Sequence, residues 1–546
     1  ELLCAEELLQ GNLTSPPFGH TTMSISADRG GAVMASDGGP FRTPTLEVHP
    51  IESIATGFPI IDGEDQEETE DRDEKPGCLT PLWMLAIFCV INLINYVDRG
   101  AIASNGVNGR QGNHTCLPAE ECYRGYGIQG DFHLSNFQDG VLPAAFMVGL
   151  LVASPIFAQL SKTYNQFHLI GWGLTVWTIA VGACGFTVGF WSLTFCRMFV
   201  GVGEASFVSL AAPFIDDNAP AAQKSSWLAC FYSCIPVGVA LGYVFGQEIG
   251  AHFSWRAAFW LEALLMLPFC VFAFTAQAPA LRGFHAPGKR KPVRSEGSTE
   301  RPEESRSKWR AHAGVVWEDT KELVANPVYR ANIMGYIANC AVVGCLAFWA
   351  PKAGAQAFNM ENADLVFGGV TVATGLLGTF VGGLALDFVG STMTNAFLLN
   401  ASSTALAAVF LIGSFWTGTV QRFVPMLAVG EFFLFIMQGP VNAITLWSVP
   451  PTQRPFACAM GTVAIHLFGD VPSPPLLGRL QDWLHDWRLS VTILNTLLLA
   501  GAAFWVHGSY VARTAKDYRA TYSRDSSALL LDDERDVLED QVQGVT

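Results

Sequence analysis

The chain has 546 residues, 50% of them hydrophobic and only 15% charged, with a mean hydropathy of +0.30. A soluble protein of this length would carry about a quarter charged residues, so the composition excludes an ordinary soluble domain and points to a polytopic membrane protein. The formal charge of −16 sits in the tails: residues 1–81 hold 16 acids against 4 bases and residues 525–546 hold 7 against 1, which leaves residues 82–524 near +2. Acidity of that kind belongs to solvated tails and points to no basic or nucleic-acid partner.

Residues 1–81 mix Gly, Pro, Ser and Thr and end in the acidic run Asp62–Glu74, the composition of a disordered tail. The chain starts at Glu1 without a cleavable signal pattern, and its natural start is expected to lie upstream. The first apolar span runs from Leu82 to Ala103 and closes in Asn95-Tyr-Val-Asp-Arg99. The following loop, 104–134, holds the sequon Asn113-His-Thr115 beside Cys116 and Cys122. A glycosylated Asn113 and a Cys116–Cys122 bridge both suit a lumenal or extracellular loop. Most other cysteines lie in apolar runs, where a small buried hydrophobe is the default, and no CxxC pair or Cys/His cluster suggests a metal.

Further spans are expected at 135–160, 167–188, 190–212, 227–250 and 255–276, which completes an N-terminal half of six helices over 82–277. The polar linker 278–329 carries ten Lys or Arg. A second half, 330–511, contributes spans at 330–351, 364–387, 392–414, 422–447, 456–480 and 489–511, and residues 512–546 form a closing tail. Twelve spans place both tails on the linker's side, and the basic linker makes that side cytoplasmic. The fold class is therefore an all-α membrane protein with twelve transmembrane helices in two six-helix halves, the layout of major facilitator transporters built around a midplane cavity.

Inside the fourth span, Arg197 and Glu204 are seven residues apart, close to two helical turns, on one face about 10 Å apart along the axis. Charges at bilayer depth usually face a bundle interior or a water-filled cavity, and Gly201 and Gly203 let another helix approach closely. Asp98 lies about 24 Å up the first span, and Arg197 about 10 Å below the outer surface of a span running the other way. In a hydrocarbon core of about 30 Å these heights coincide, which makes the two partners, with Glu204 nearer the centre. Asp98, Arg99, Arg197 and Glu204 thus form one candidate cluster for proton exchange, since desolvation and a neighbouring arginine act oppositely on a carboxyl group. The plainer alternative is an ion pair that only fixes helix packing.

A second cluster lies in the eleventh span, where His466 and Asp470 share a helical face just before Pro472, Pro474 and Pro475 interrupt the backbone ladder. A broken helix beside an intramembrane carboxylate suits gating or ion coordination; a proline kink with Asp470 capping loose amides is the alternative. Pro236-x-Gly238-x-x-x-Gly242-x-x-x-Gly246 offers a smooth ridge for a sliding contact, and Asp387 closes the eighth span where it can cap a neighbouring helix. Glu248, Glu262 and Glu431 also lie near spans, each as much a packing residue as a ligand. No P-loop, dinucleotide fingerprint or nucleophile triad appears, so no cofactor is expected and ATP-driven transport is disfavoured.

Over about 82–512 the chain resembles the Spinster family of major facilitator lipid transporters, particularly its plant-type members. The resemblance rests on Asn95-Tyr-Val-Asp-Arg99, Phe137-Gln-Asp-Gly140, Arg197-x-x-x-Gly-Val-Gly-Glu-Ala-Ser206, Asp216-Asp-Asn-Ala-Pro220, Trp255-Arg256 and Gly469-Asp-Val-Pro-Ser-Pro474. It implies export of sphingolipids or lysophospholipids from late endosomes, lysosomes or the cell surface, with proton coupling. One departure is clear: the second span ends Ala158-Gln-Leu-Ser-Lys-Thr-Tyr164, with serine where major facilitators usually place an aspartate.

The expected function is alternating-access transport of an amphipathic lipid. Arg99 or Arg197 attracts an anionic headgroup, Asp98 and Glu204 carry protons, and Asp470 serves the gate. The rivals are a major facilitator for small organic anions or sugars, and a polytopic lipid-modifying enzyme with His466 as base. The cytoplasmic tail adds Asp525-Ser-Ser-Ala-Leu-Leu530, an acid four residues before Leu529 and Leu530, which matches an acidic dileucine signal. A sorting adaptor would read it and direct the protein to late endosomal, lysosomal or vacuolar membranes, with the plasma membrane as the default.

Overall fold

Long apolar stretches cannot leave their amides unpaired in hydrocarbon, and a helix pairs them all locally. In the computed structural model, which describes residues 81–112, 125–161, 164–220, 223–275 and 317–518, every expected span is helical. The first half comprises α1 (Pro81–Ala103), α2 (Asn136–Leu160), α3 (Gln166–Cys184), α4 (Phe190–Asn218), α5 (Lys224–His252) and α6 (Trp255–Thr275). The second comprises α7 (Pro327–Phe358), α8 (Ala363–Val389), α9 (Met393–Phe415), α10 (Val420–Ile436 continued by Gln438–Trp447), α11 (Arg454–Ile465 and Ser473–Leu484) and α12 (Trp487–Ala512). Asn113, Cys116 and Cys122, most of the linker, and Asp525, Leu529 and Leu530 lie outside the described residues. Hereafter the inner end is the one holding the start of α1 and the end of α12.

The helix starts are written in the sequence. Ser135 and Gln138 form a reciprocal capping box at α2. Asn165, Asn326 and Asp486 each accept two first-turn amides of α3, α7 and α12, and Pro327 fills the first turn of α7. The helix ends depart further from expectation. α4 continues from 212 to Asn218, stopping where Pro220 forces Ala219 into an extended conformation. α7 continues from 351 to Phe358 and stops only at Asn359, whose left-handed φ of 52° breaks the ladder. Hydropathy marks where lipid contact ends, whereas a helix runs on until something breaks its hydrogen bonds.

Among the described residues, eleven helices are long and apolar enough to cross a membrane. The remaining span is α11, expected over 456–480 with its backbone ladder interrupted at the prolines, and interrupted it is. It is two twelve-residue helices joined through a π-helical turn at His466–Asp470. Pro474 and Pro475 have no N–H to offer the preceding turn, so the regular ladder stops there.

Within the first half, α1 packs along α5 and α4 lies between α2 and α3. The α5 ridge works as its glycines suggest. A Cβ on Gly242 would overlap the Val97 carbonyl and Gly100 of α1, so only glycine admits this approach. Gly201 abuts the Phe146 carbonyl of α2, and Gly203 the Trp177 backbone of α3. The core below them is aromatic: Phe88 meets Phe207 at 5.6 Å and Phe214 at 5.2 Å between centroids. Outward-facing positions are apolar too, with Val188 89% and Phe388 92% exposed, a surface that suits lipid rather than water.

The halves join chiefly through two pairs of elements, with α1 also packing on α7. α5 packs on α8, and the second piece of α11 packs on α2, where Gly140 lies against the Pro474 carbonyl and Gly478 against that of Asn136. α4 packs chiefly on α1, α2, α3 and α5, and the second piece of α10 on α7, α8, α9 and α11. Among the described residues, the side-chain hydrogen bonds between the halves gather toward the outer end.

Candidate functional site

The structure brings Asp98 and Arg197 together inside the first half. Arg197 Nη1 donates to Asp98 Oδ1 at 2.7 Å, with both side chains 1% exposed or less. The guanidinium lies over the rings of Phe146 (5.4 Å) and Phe259 (6.0 Å), a geometry open to a planar cation. Glu204 lies two turns along the same helix and takes a different partner, accepting from Arg99 Nη2 at 2.5 Å. Arg99 is flanked by Tyr96 (4.6 Å) and Phe146 (4.7 Å), and its side chain keeps 20% exposure while Glu204 keeps none. Consecutive residues of α1 therefore carry opposite charges to two positions on α4. Arg197 is spoken for, and Arg99 is the cation of this group that reaches open space.

A set of residues that sequence reading missed closes the outer end. Lys352 of α7 is 1% exposed, and its ammonium donates to Asn108 Oδ1 (2.5 Å), Gln129 Oε1 (2.6 Å) and Asp139 Oδ2 (3.1 Å), all from the opposite half. Asn108 in turn donates to Asp139 Oδ1 at 2.9 Å. All three ammonium protons are thus satisfied without water. Two carboxylates of the second half reinforce this seal. Asp482 accepts the Asn136 and Phe137 amides, each at 2.9 Å, at the electropositive start of α2. Asp364 accepts the Asn105 amide at 3.0 Å and its carboxamide at 2.8 Å. Tyr243 donates to the Ala347 carbonyl alongside them. Every one of these partners is one that water can replace when the halves separate.

His466 and Asp470 meet across the π-helical turn, Nδ1 to Oδ2 at 2.7 Å. Trp349 and Cys345 of α7 donate to the Pro474 and Ser473 carbonyls, so α7 anchors the interrupted backbone. Pro472 and Pro474 stand directly beneath the seal, because the helix they begin is the one carrying Gln481 and Asp482. Pro236 lies within α5, two residues before Gly238, which with Gly242 faces α1. Asp387 does not cap a neighbouring helix: it accepts from Ser391 at 3.0 Å in its own terminal turn, since Gly390 turns the chain back within reach. Glu248 pairs with His252 on the surface, Glu431 accepts from Thr371 and Thr374 at 3.2 Å, and Glu262 is fully buried beside Asp98 and Arg197. Asp131 accepts from Trp255 (2.8 Å) and Arg256 (2.7 Å), which ties the short helix Gly127–Asp131 to the start of α6.

This architecture has known relatives. The profile of the Major Facilitator Superfamily matches residues 125–471. The Arabidopsis thaliana protein named "Probable sphingolipid transporter spinster homolog 2" is 51% identical over 453 residues, covering 83% of this chain and 92% of that one. The chain belongs to the spinster family of the Major Facilitator Superfamily. Membership extends across kingdoms: human "Protein spinster homolog 1" is 29% identical over 74% of each chain. A crystal structure of a bacterial homologue of the human lysosomal transporter Spinster superposes with a TM-score of 0.62 at 16% identity, covering 79% of this chain and 97% of that one. The spinster chain described here is a multi-pass integral membrane protein.

Proposed function

We propose that this spinster-family transporter moves a sphingolipid or lysophospholipid by alternating access and couples the movement to protons. The observation that carries the reading is the Arg99–Glu204 pair, a buried carboxylate holding the one cation of the cluster that reaches open space. An anionic headgroup at Arg99 competes with Glu204 for the same guanidinium, and a proton on Glu204 removes that competitor. Proton and headgroup then favour each other's binding, and by linkage the effect is reciprocal. Plant relatives named as sphingolipid transporters support the substrate class. The outer seal and the interrupted α11 supply the parts that must open.

The test is uptake of a lysolipid into proteoliposomes at a series of pH values. Wild-type binding and transport should strengthen as pH falls through the range in which Glu204 takes up its proton. Glu204→Gln mimics the protonated side chain, so its profile should be flat while membrane insertion stays normal. A Gln variant with the wild-type pH profile would remove Glu204 from the mechanism. Running a small phosphorylated solute in the same vesicles separates a lipid carrier from an organic-anion carrier. Conversion of the lipid to a new chemical species would instead favour an enzyme with His466 as base.

The endolysosomal or vacuolar address rests on Asp525, Leu529 and Leu530. Leu529→Ala with Leu530→Ala should move the protein to the cell surface with transport unchanged. Fluorescence imaging that shows the same distribution for both proteins would leave the tail without this role.

A further inference from the structure

A third acid completes the cluster inside the first half. Glu262 of α6 is 0% exposed, and neither carboxyl oxygen has a hydrogen-bond donor. Its nearest charged groups are Asp98 of α1, within hydrogen-bonding reach, and Arg197 of α4. Asp98 uses only Oδ1 on Arg197, and its Oδ2 has no donor either. Two ionised carboxylates only accept, so side by side they leave each other unsatisfied; one proton turns one of them into a donor and closes the gap. Like carboxyls sharing a site hold a proton between them for the same reason. The charge count agrees: Asp98, Glu204 and Glu262 lie with Arg99 and Arg197, and one proton brings these five groups to neutrality.

Resting on the proton-coupled reading above, we propose that Asp98 and Glu262 share one proton, which makes Glu262 a proton-binding residue of the transport cycle. The other titratable groups around it are Cys184 of α3 and Cys196 of α4, which lie next to Arg197, and the Arg99–Glu204 pair toward the inner end. The rings of Phe146 and Phe259 fill the remaining sides of the guanidinium. With the outer seal shut, both carboxyls are 0% exposed. Opening the outer end exposes the shared proton: the carboxyl O–H bond breaks, the proton passes to water of the outer compartment, and both oxygens are left anionic. Arg197 can compensate that charge, because its Nε has no acceptor and is available to bridge the two carboxylates.

Infrared difference spectroscopy of the full chain in lipid nanodiscs at neutral pH reads this directly. The wild type should show the C=O stretch of a protonated carboxyl, shifted in heavy water. Glu262→Gln should lose that band and Glu204→Gln should keep it. Glu431 can add its own band, so the difference between variants is the readout. Should Glu262→Gln not accumulate, Glu262→Asp tests the same point, since it keeps a carboxyl but draws it back from Asp98 and should displace the band. A band that survives either substitution unmoved overturns the proposal. Loss of the band together with transport that ignores pH would support the shared proton and overturn proton coupling instead.

Discussion

Lys352→Met should open the outer end of the protein. The substitution removes the ammonium that joins three side chains of the opposite half and leaves Asp139 buried with only the Asn108 carboxamide as partner. Stranding one member of a buried ion pair costs about 3–5 kcal/mol. That cost falls on one state alone. When the halves separate at the outer end, Asp139 is hydrated and loses nothing by the change. At 1.4 kcal/mol per tenfold, the balance between outer-closed and outer-open forms should move by about a hundredfold to a few thousandfold. Hydrogen exchange followed by mass spectrometry reports it as faster exchange in residues 104–112, 136–142 and 476–484, with the inner ends unchanged. Adding Asp139→Leu should restore protection, because replacing both partners with apolar groups is often neutral or stabilising. Unchanged exchange in the single variant would mean that the seal does not set the conformational balance.

Lys352 also shows where sequence reading stops. A lysine in an apolar run should be read as functional by default, yet hydropathy ended the seventh span at 351, one residue short of it. With the helix taken to Phe358, Lys352 falls inside. Asp139 was in view within Phe137-Gln-Asp-Gly140, but its partner comes from the other half, more than two hundred residues away. Periodicity ranks faces of one helix and says nothing of which helices meet. The Asp98–Arg197 contact was legible because both residues lie in spans whose depth can be counted from the ends. The Arg99–Glu204 contact was not assigned, since neighbouring residues on α1 point to different places on α4. Glu262 was visible as a charge and invisible as a partner, because its importance lies in what it fails to bond. The interruption of α11 was announced by its prolines, whereas the donors from α7 that meet the Ser473 and Pro474 carbonyls just beyond it were not.

Arg197→Ala should harm folding more than the double change Arg197→Ala with Asp98→Ala. In the single variant Asp98 keeps its charge at 0% exposure, with the second acid Glu262 within hydrogen-bonding reach and no cation in contact. The expected loss is again about 3–5 kcal/mol. Here both members lie within one half and both are buried in the structure, so the loss appears as poor membrane yield and a lowered melting temperature in detergent. The double variant removes the stranded charge together with its partner. What remains is a cavity beneath Phe146 and Phe259 and a Glu262 with no charged neighbour in contact. It should therefore melt higher than the single variant, although below the wild type, because the guanidinium also fills space between those rings. Arg197→Lys discriminates further: an ammonium keeps the charge but lacks the planar fork that meets Asp98 while stacking on two rings, so it should fall between wild type and Arg197→Ala. Equal yields and melting temperatures for the single and double variants would show that the Asp98–Arg197 contact contributes no more to stability than two independent side chains, and would leave the pair to transport alone.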